Sequence, residues 1–562
     1  MIKFRRFQQK DSPKLKIIPL GGIGNVTKNM FVYEFSGQIL IVDCGVGFPD
    51  VGMLGVDFVI PDISYLRDKK DKILGIVITH GHDDHIGGLP YILPELNVPV
   101  YGTPLTCGLI RARLEEAYEK NGFRAKIIPT PDSSILNIGP FEIRFVHMTH
   151  SVPDATNLII KTPVGTVYHG SDFKFDWTPV DGRYSDVNKI AKAGGEGVLL
   201  LLSDCLRAEK EGYTLSEKMI KETFDREISN SPKKFIVTTA SSNLSRIKQA
   251  IEVSQKFGRR VGVVGRSIRK VVEIGQEMGY FSYPKSLFVS PDEISKIDPS
   301  KLTLIVAGAQ GQPGSSMSQI ANRQHRQVSI EGGDTVVFSA DPIPGNVDGI
   351  HVLVDNLTHL GARVLYSDIL DDLHVSGHAA KNELAMLIGL LHPKYLMPIS
   401  GSFRQMTAYL RLALEMGYQK EKILLADEGD VVSASEGKVY IDGKVEVKNV
   451  MVDGLGIGDV GSVVLRDRKV MADEGIVVVI VTVDEKNGQV AAKPDIVSRG
   501  FVYMGESQDL INRAQEVVEQ CIGKGKISDW RYLRRHIEDT LEKFLYNETK
   551  RRPMILPVVI EV

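Results

Sequence analysis

The run Ile73-Leu-Gly-Ile-Val-Ile-Thr79 leads without a spacer into His80-Gly81-His82-Asp83-Asp84-His85. An apolar, β-branched run that stops at a polar, glycine-containing loop reads as a buried strand delivering functional side chains at its end. Of the chain's 13 histidines, three stand in this one loop. Imidazole nitrogen and carboxylate oxygen bind Zn²⁺ or Mn²⁺ without redox chemistry. In a tight loop His80 and His82 can turn toward one point, while Asp84 and His85 turn toward a neighbouring one. The same texture recurs on both sides of the loop. Lys16–Leu20 precedes GGIG, Ile39–Val42 precedes Asp43-Cys-Gly, Ile143–Met148 precedes His150, and Gly165–His169 precedes the loop with Asp172. His150 and Asp172 are therefore further candidate ligands, and Asp172 could bridge two cations through its two oxygens. His147 and His169 lie inside strand patterns and read as packed or hydrogen-bonded histidines.

Helical patterns such as Leu105–Lys120 intervene, which makes the class α/β or α+β. From about Arg207 strand and helix alternate: Lys234–Thr239 before Leu244–Phe257, Arg260–Val264 before Ser267–Met278, and Leu302–Val306 before AGAQGQPGSS. This spacing suggests a parallel-sheet insert with loops at the strand C-termini. Arg363–Leu365 then precedes LHVSGHAAKNELAMLIGLLHPKYLMPISGS: a loop, a helix and a strand, Tyr395–Ile399. Residues 445–459 are Gly-rich and weakly patterned and read as a linker. Beyond them Gly475–Asp484 reads as a strand, Gln508–Cys521 and Trp530–Tyr546 as amphipathic helices, and the tail RRPMILPVVIEV as a closing strand.

The chain has 562 residues, a prior of about three to four domains. Apolar residues are 43% and charged residues 25%, and the net charge is −2. This excludes a mainly disordered chain and a wholly basic nucleic-acid coat, though not a local basic channel. The longest apolar stretch, Ile476–Val483, is far short of the ~20 residues a membrane helix needs. The start, MIKFRRFQQKD, has no apolar region of the secretory kind. The four cysteines (44, 107, 205 and 521) stand singly and read as reduced thiols, so a cytoplasmic location is expected.

Asp43 in its DCG turn, HGHDDH, His150 and Asp172, in chain order, resemble the first four motifs of the metallo-β-lactamase fold. IIPLGGIG with KNM, SDFKFDWTPVDG, VGRSIRKVVEIGQEMGY, PIPGN, HVSGHA and LRDRKVMADEGIVVV are similar to ribonuclease J, of the β-CASP nuclease branch. The resemblance implies an αββα metallo-β-lactamase sandwich with an inserted β-CASP α/β domain and a small α+β C-terminal domain. On that reading residues 1–206 and 371–444 form the metallo-β-lactamase domain, 207–370 the β-CASP domain, 445–459 a linker, and 460–562 a dimerisation-type domain. It further implies a 5′→3′ exoribonuclease favouring 5′-monophosphate ends, with endonuclease activity, acting in RNA maturation and decay. Two zinc ions per subunit are implied, with Mn²⁺ or Mg²⁺ as alternatives. By analogy His80, His82 and His150 hold one ion, Asp84 and His85 the other, and Asp172 bridges. Asp43 stands behind the ligands, orienting them, and Asp204 is the acidic residue that opens the β-CASP branch. His374, Val375, Ser376, Gly377 and His378 form the stretch that holds RNA phosphates. Asp84 and His378 are the expected catalytic residues, His378 protonating the departing 3′-oxygen. Ser241–Ser245 and Gly308–Ser316 could present N–H and hydroxyl groups to phosphates. Arg266, Arg269 and Lys270 could line an RNA path or form a solvated face. Expected partners are RNA and a homodimer or homotetramer, or a paralogous subunit, with no membrane.

The chain departs from the family at Ser400, in MPISGS where MPIHGE is expected, and that histidine would complete the second metal's shell. Asn25, Thr27, Ser245 and the run Asp204–Arg207 differ as well. Two readings stay open: two cations with a weakened second site, or a catalytically weakened, RNA-binding subunit paired with an active paralogue. Other classes, a small-molecule metallohydrolase or a DNA-directed β-CASP nuclease, explain fewer of the motifs.

Overall fold

The computed structural model describes residues 13–50, 52–118, 122–342, 346–484, 489–502, 507–523 and 530–562. The segment MIKFRRFQQKD and residues 343–345 of PIPGN lie outside the described residues. The chain divides into two compact units, 1–48 with 58–450, and 49–57 with 451–562.

In the first unit, two sheets hold one continuous core. The eight-stranded sheet contains Leu15–Gly21, Met30–Phe35, Gln38–Val42 and Ile73–Val77, and the six-stranded sheet contains Phe141–His147, Thr156–Thr162, Gly165–Gly170 and Leu200–Asp204. Both contribute fully buried residues to it, among them Tyr33, Leu40 and Val77 from one and Phe145, Leu158 and Leu202 from the other. Near-continuous apolar strands of this kind are buried on both faces. Helices Val187–Glu196, Lys381–Leu391 and Phe403–Glu415 add Ile190, Leu384, Leu387 and Met406 to the same core. This is the expected αββα sandwich.

The insertion is visible in the register. Leu200–Asp204 pairs in parallel with Tyr395–Ile399, residue for residue from Leu200↔Tyr395 to Asp204↔Ile399. Between these neighbours the chain builds a separate six-stranded sheet in which every pairing is parallel. It has its own core around Ile236, Leu304, Val336 and Leu353. Parallel strands place their C-terminal loops on one edge, where α/β sheets bind ligands. Those loops here are Thr239–Asn243, Val264–Arg266, Ala307–Ser315 and Phe338–Asp341.

The second unit is built on Ile476–Val483. Its alternate residues Val477, Val479, Val481 and Val483 are buried, and together with Ile511, Ala514, Val518, Ile537 and Leu541 of helices Gln508–Ile522 and Trp530–Thr549 they form a core. Met554–Glu561 closes the sheet in parallel. Two features differ from the sequence reading. The stretch 445–459, expected to be a linker, carries short strands at Val450–Asp453 and Gly456–Ile457, and Ser462–Glu474 is a helix. Pro49–Asp57, read as part of the first domain, groups with the second unit. There the Asp57 N–H donates to Val452 O (2.9 Å), and Arg468 Nη1 donates to Leu54 O (2.9 Å). Neither contact has a local sequence signal.

Candidate metal centre

The loop after Ile73–Val77 is held by the turn Asp43–Gly45. Cys44 N–H donates to His85 O (2.8 Å), Val46 N–H to Asp83 O (3.1 Å) and Asn29 N–H to Asp84 O (3.0 Å). At Gly45 a Cβ would collide with the Asp84 carbonyl, so only glycine allows this approach. The clamp leaves the side chains of the HGHDDH loop free to converge.

They form two groups that share Asp172. In the first, His80, His82, His150 and Asp172 bring ligand atoms within 4.8 Å of one another. His82 Nδ1 is 3.1 Å from both His80 Nε2 and His150 Nε2, and Asp172 Oδ2 is 3.6 Å and 3.7 Å from those two nitrogens. Tetrahedral ligands at ~2.0–2.1 Å from zinc stand about 3.3 Å apart, so these edges suit an ion of that size. Every other ring nitrogen is tied off. His80 Nδ1 meets Thr79 Oγ1 (3.1 Å), His82 Nε2 meets Ser151 Oγ (3.3 Å), and His150 Nδ1 donates to Gly377 O (2.7 Å). Such partners fix tautomer and ring orientation. Burial holds His80 and His82 well below the usual histidine range and pushes His150 down to about 3. All three are therefore neutral, with lone pairs to offer.

The second group is Asp84, His85 and Asp172. His85 Nε2 lies 3.6 Å from Asp84 Oδ2 and 3.5 Å from Asp172 Oδ2. Its Nδ1–H donates to Asp43 Oδ2 (2.8 Å), and Asp43 Oδ1 also accepts from Thr79 N–H (2.8 Å). Asp172 Oδ1 is buried and has no hydrogen-bond partner among the described residues. A lone buried carboxylate oxygen costs roughly 1–3 kcal/mol, which a bound cation would recover. The donor set and this orphaned atom fit a pair of divalent cations.

Beside them, His378 Nδ1–H donates to Asp204 Oδ2 (2.8 Å), and its Nε2 lies 3.9 Å from Asp172 Oδ2. Burial opposes the charge, but Asp204 and then Asp172 outweigh it and raise His378 to about 9. The Asp204 carboxylate thus favours a proton on Nε2.

Four family models match in order along the chain. They are the metallo-beta-lactamase superfamily (residues 23–200), the ribonuclease J beta-CASP domain (232–357), the Zn-dependent metallo-hydrolase RNA specificity domain (368–424) and the ribonuclease J C-terminal domain (463–562). Ribonuclease J2 of Bacillus subtilis is 38% identical over 558 residues, 99% of this chain and 100% of that protein. The chain belongs to the ribonuclease J family. Ribonuclease J 1 of Streptococcus pyogenes serotype M3 is also 38% identical, over 97% of each chain, and ribonuclease J 2 of Staphylococcus aureus 37%, over 99% of each. A solved protein of unknown function from Enterococcus faecalis V583 shares the fold at 16% identity and a TM-score of 0.53, covering 75% of this chain and 100% of that one.

Against the ribonuclease J pattern, the remaining candidates fall as follows. His374 stands outside both metal groups, with Nε2 3.5 Å from Asp341 Oδ2. Val375 is buried, Ser376 Oγ accepts from His378 N–H (3.2 Å), and Gly377 touches His150 through its carbonyl. Arg266, Arg269 and Lys270 are exposed at the start of helix Arg266–Glu277. His147 and His169 are packed, on Arg183 O (3.3 Å) and Tyr33 Oη (2.9 Å). His392 caps a helix on the surface. Ser400 is buried, and its hydroxyl donates to Asn29 Oδ1 (3.1 Å). Sequence reasoning passed over Thr79, Ser151 and Asn29. Only Thr79 had a usable signal, its place at the mouth of the metal loop.

Proposed function

We propose that this chain is a metal-dependent ribonuclease that hydrolyses RNA phosphodiester bonds. The observation that carries the reading is the pair of ligand groups sharing Asp172 at the mouth of a β-CASP insert. His80, His82 and His150 would hold one cation and Asp84 and His85 the other, with Asp172 available to both. Three neutral imidazoles favour zinc over Mg²⁺, which prefers oxygen donors. When bound, the cations supply positive charge at the phosphoryl oxygens and acidify the attacking water. The chain's own residues do the rest. Asp43 and Thr79 hold His85 and His80 in the required tautomers. His378, kept protonated by Asp204, gives its Nε2 proton to the departing 3′-oxygen. Gly- and Ser-rich loops at the C-terminal edge of the parallel sheet can offer N–H groups to phosphates, and the ribonuclease J family membership supports 5′→3′ attack from a 5′-monophosphate end together with internal cuts. We assign the chain to RNA maturation and decay in the cytoplasm, as a homodimer or homotetramer through residues 460–562.

Matched 5′-phosphorylated RNA and DNA, with a chromogenic lactam alongside, test this. The cation-replete chain is expected to degrade the RNA and spare the lactam. Asp84→Ala is expected to abolish cleavage in a folded protein. Lactam turnover without RNA loss, or cleavage by Asp84→Ala at the wild-type rate, overturns the assignment.

A further inference from the structure

We propose that this chain binds its two cations unequally: the first group closes on an ion unaided, whereas in the second the Asn29 carboxamide, locked by Ser400, occupies the coordination side of His85. The inference rests on the two-cation reading above and names which site limits it.

Asn29 is fully buried, and its orientation is fixed by its partners. Nδ2 faces two carbonyls, Val26 O (3.0 Å) and Asp84 O (3.2 Å), which only the amide's N–H groups can satisfy. Oδ1 therefore points the other way and accepts the Ser400 hydroxyl at 3.1 Å. The same Nδ2 stands 3.1 Å from His85 Nε2. His85 Nδ1 is committed to Asp43, so Nε2 is the nitrogen left for a cation, and the amide group, both of whose N–H groups are spent on the two carbonyls, stands directly in front of it. A cation approaching His85 must displace that amide group, 3.1 Å from Nε2. The carboxamide has little room to swing away, since it lies against Gly22, where even a Cβ would collide with Asn29 Oδ1.

The ligand counts widen the asymmetry. The first group has three imidazoles and Asp172, whereas the second has one imidazole, Asp84 and the same shared Asp172. The Asp84 side chain is also 21% exposed, so water competes there too. Ser400 adds a neutral hydroxyl whose proton is already spent on Asn29. Its backbone would nonetheless take a stronger ligand. Ser400 has φ 51°, the left-handed region in which histidine is enriched, and its N–H is held by Gly22 O at 2.8 Å. A histidine there would remove the lock on Asn29 and add an imidazole.

The test counts ions. Full-length chain is stripped with chelator, reloaded with excess ZnCl₂ and passed over chelating resin. Retained zinc is then measured by mass spectrometry, and the weaker site is titrated by calorimetry. The wild type is expected to retain one zinc per chain. Asp84→Ala should keep that ion and His82→Ala should lose it. Ser400→His is expected to retain two, with the second Kd at least tenfold tighter. Asn29→Ala, which removes the amide group in front of His85 without adding bulk, should tighten the second site in the same direction. Retention of the first ion is the folding control for every variant at the second site. Two ions of equal affinity in the wild type, or no gain in both Ser400→His and Asn29→Ala, overturns the proposal and leaves the two-cation reading intact. No retained zinc in the wild type overturns both.

Discussion

Gly377 leaves no room for a side chain, because a Cβ there would lie 2.7 Å from His150 Nδ1 and Cε1. Its carbonyl accepts the His150 proton, so one residue of the return loop sets the aim of a candidate metal ligand 227 positions earlier. Gly377→Ala is expected to turn the His150 ring and weaken retention of the first ion by about 10–100-fold, the usual cost of losing an orienting partner. Zinc content and RNA decay, measured together, check this. Asp43 acts likewise on His85. Asp43→Asn keeps the shape but cannot accept from both His85 and Thr79 with full charge. It should lower cleavage by about 10–100-fold with little loss of stability, read from kcat/KM and a urea melt. Unchanged cleavage in Asp43→Asn would mean that the contact only packs.

At the scale of elements, the loop carrying His374 to His378 is anchored by a buried cation. Arg246, on helix Leu244–Lys256, is fully buried; its Nη1 donates to Leu373 O (3.1 Å) and to Ser339, and its Nη2 to Glu217 Oε2 (2.9 Å). Ser339 Oγ also donates to Leu373 O (2.6 Å). The end of one β-CASP strand, a helix and the return loop thus meet on one guanidinium. Removing one partner of a buried pair costs roughly 3–5 kcal/mol, so Arg246→Met should lower the first unit's stability by about that amount in urea. Burial opposes the Glu217 charge, but Arg246 and Lys174 outweigh it and hold this carboxyl below the usual range. Its contribution to stability is therefore present above the unfolded value of about 4.3 and is lost as pH falls through the lowered folded value. Glu217→Gln should flatten that acid limb, and an unchanged limb in acid denaturation would show that other carboxylates carry it.

For the molecule as a whole, the two units respond differently to cations. All the candidate ligands lie in the unit containing residues 58–450. Ligand binding to the folded form alone adds about 2.7 kcal/mol at 100 times Kd. Chelation is expected to lower the calorimetric transition of the first unit and leave that of the second unchanged, and RNA cleavage should return with added zinc. An equal shift of both transitions would place a cation site in the second unit.

The sequence by itself determined the strands that end in loops rich in polar side chains, the parallel insert and which residues are candidate ligands. Those signals are local: apolar runs such as Ile73–Val77 and Ile476–Val483, and side chains whose chemistry is tied to residue type. Only the tertiary structure decided which groups meet. That the chain leaves its sheet at Asp204 and re-enters beside it at Tyr395, that Gly377 aims His150, and that Pro49–Asp57 joins the C-terminal unit are contacts between distant positions. The helix Ser462–Glu474 was illegible for a related reason: none of its residues is buried, so it leaves no core-facing apolar pattern to read. Asn29 shows the limit most sharply. Nothing in GNVTKNM marks its carboxamide as a neighbour of His85, because that role exists only once Val26, Asp84 and Ser400 have been folded around it.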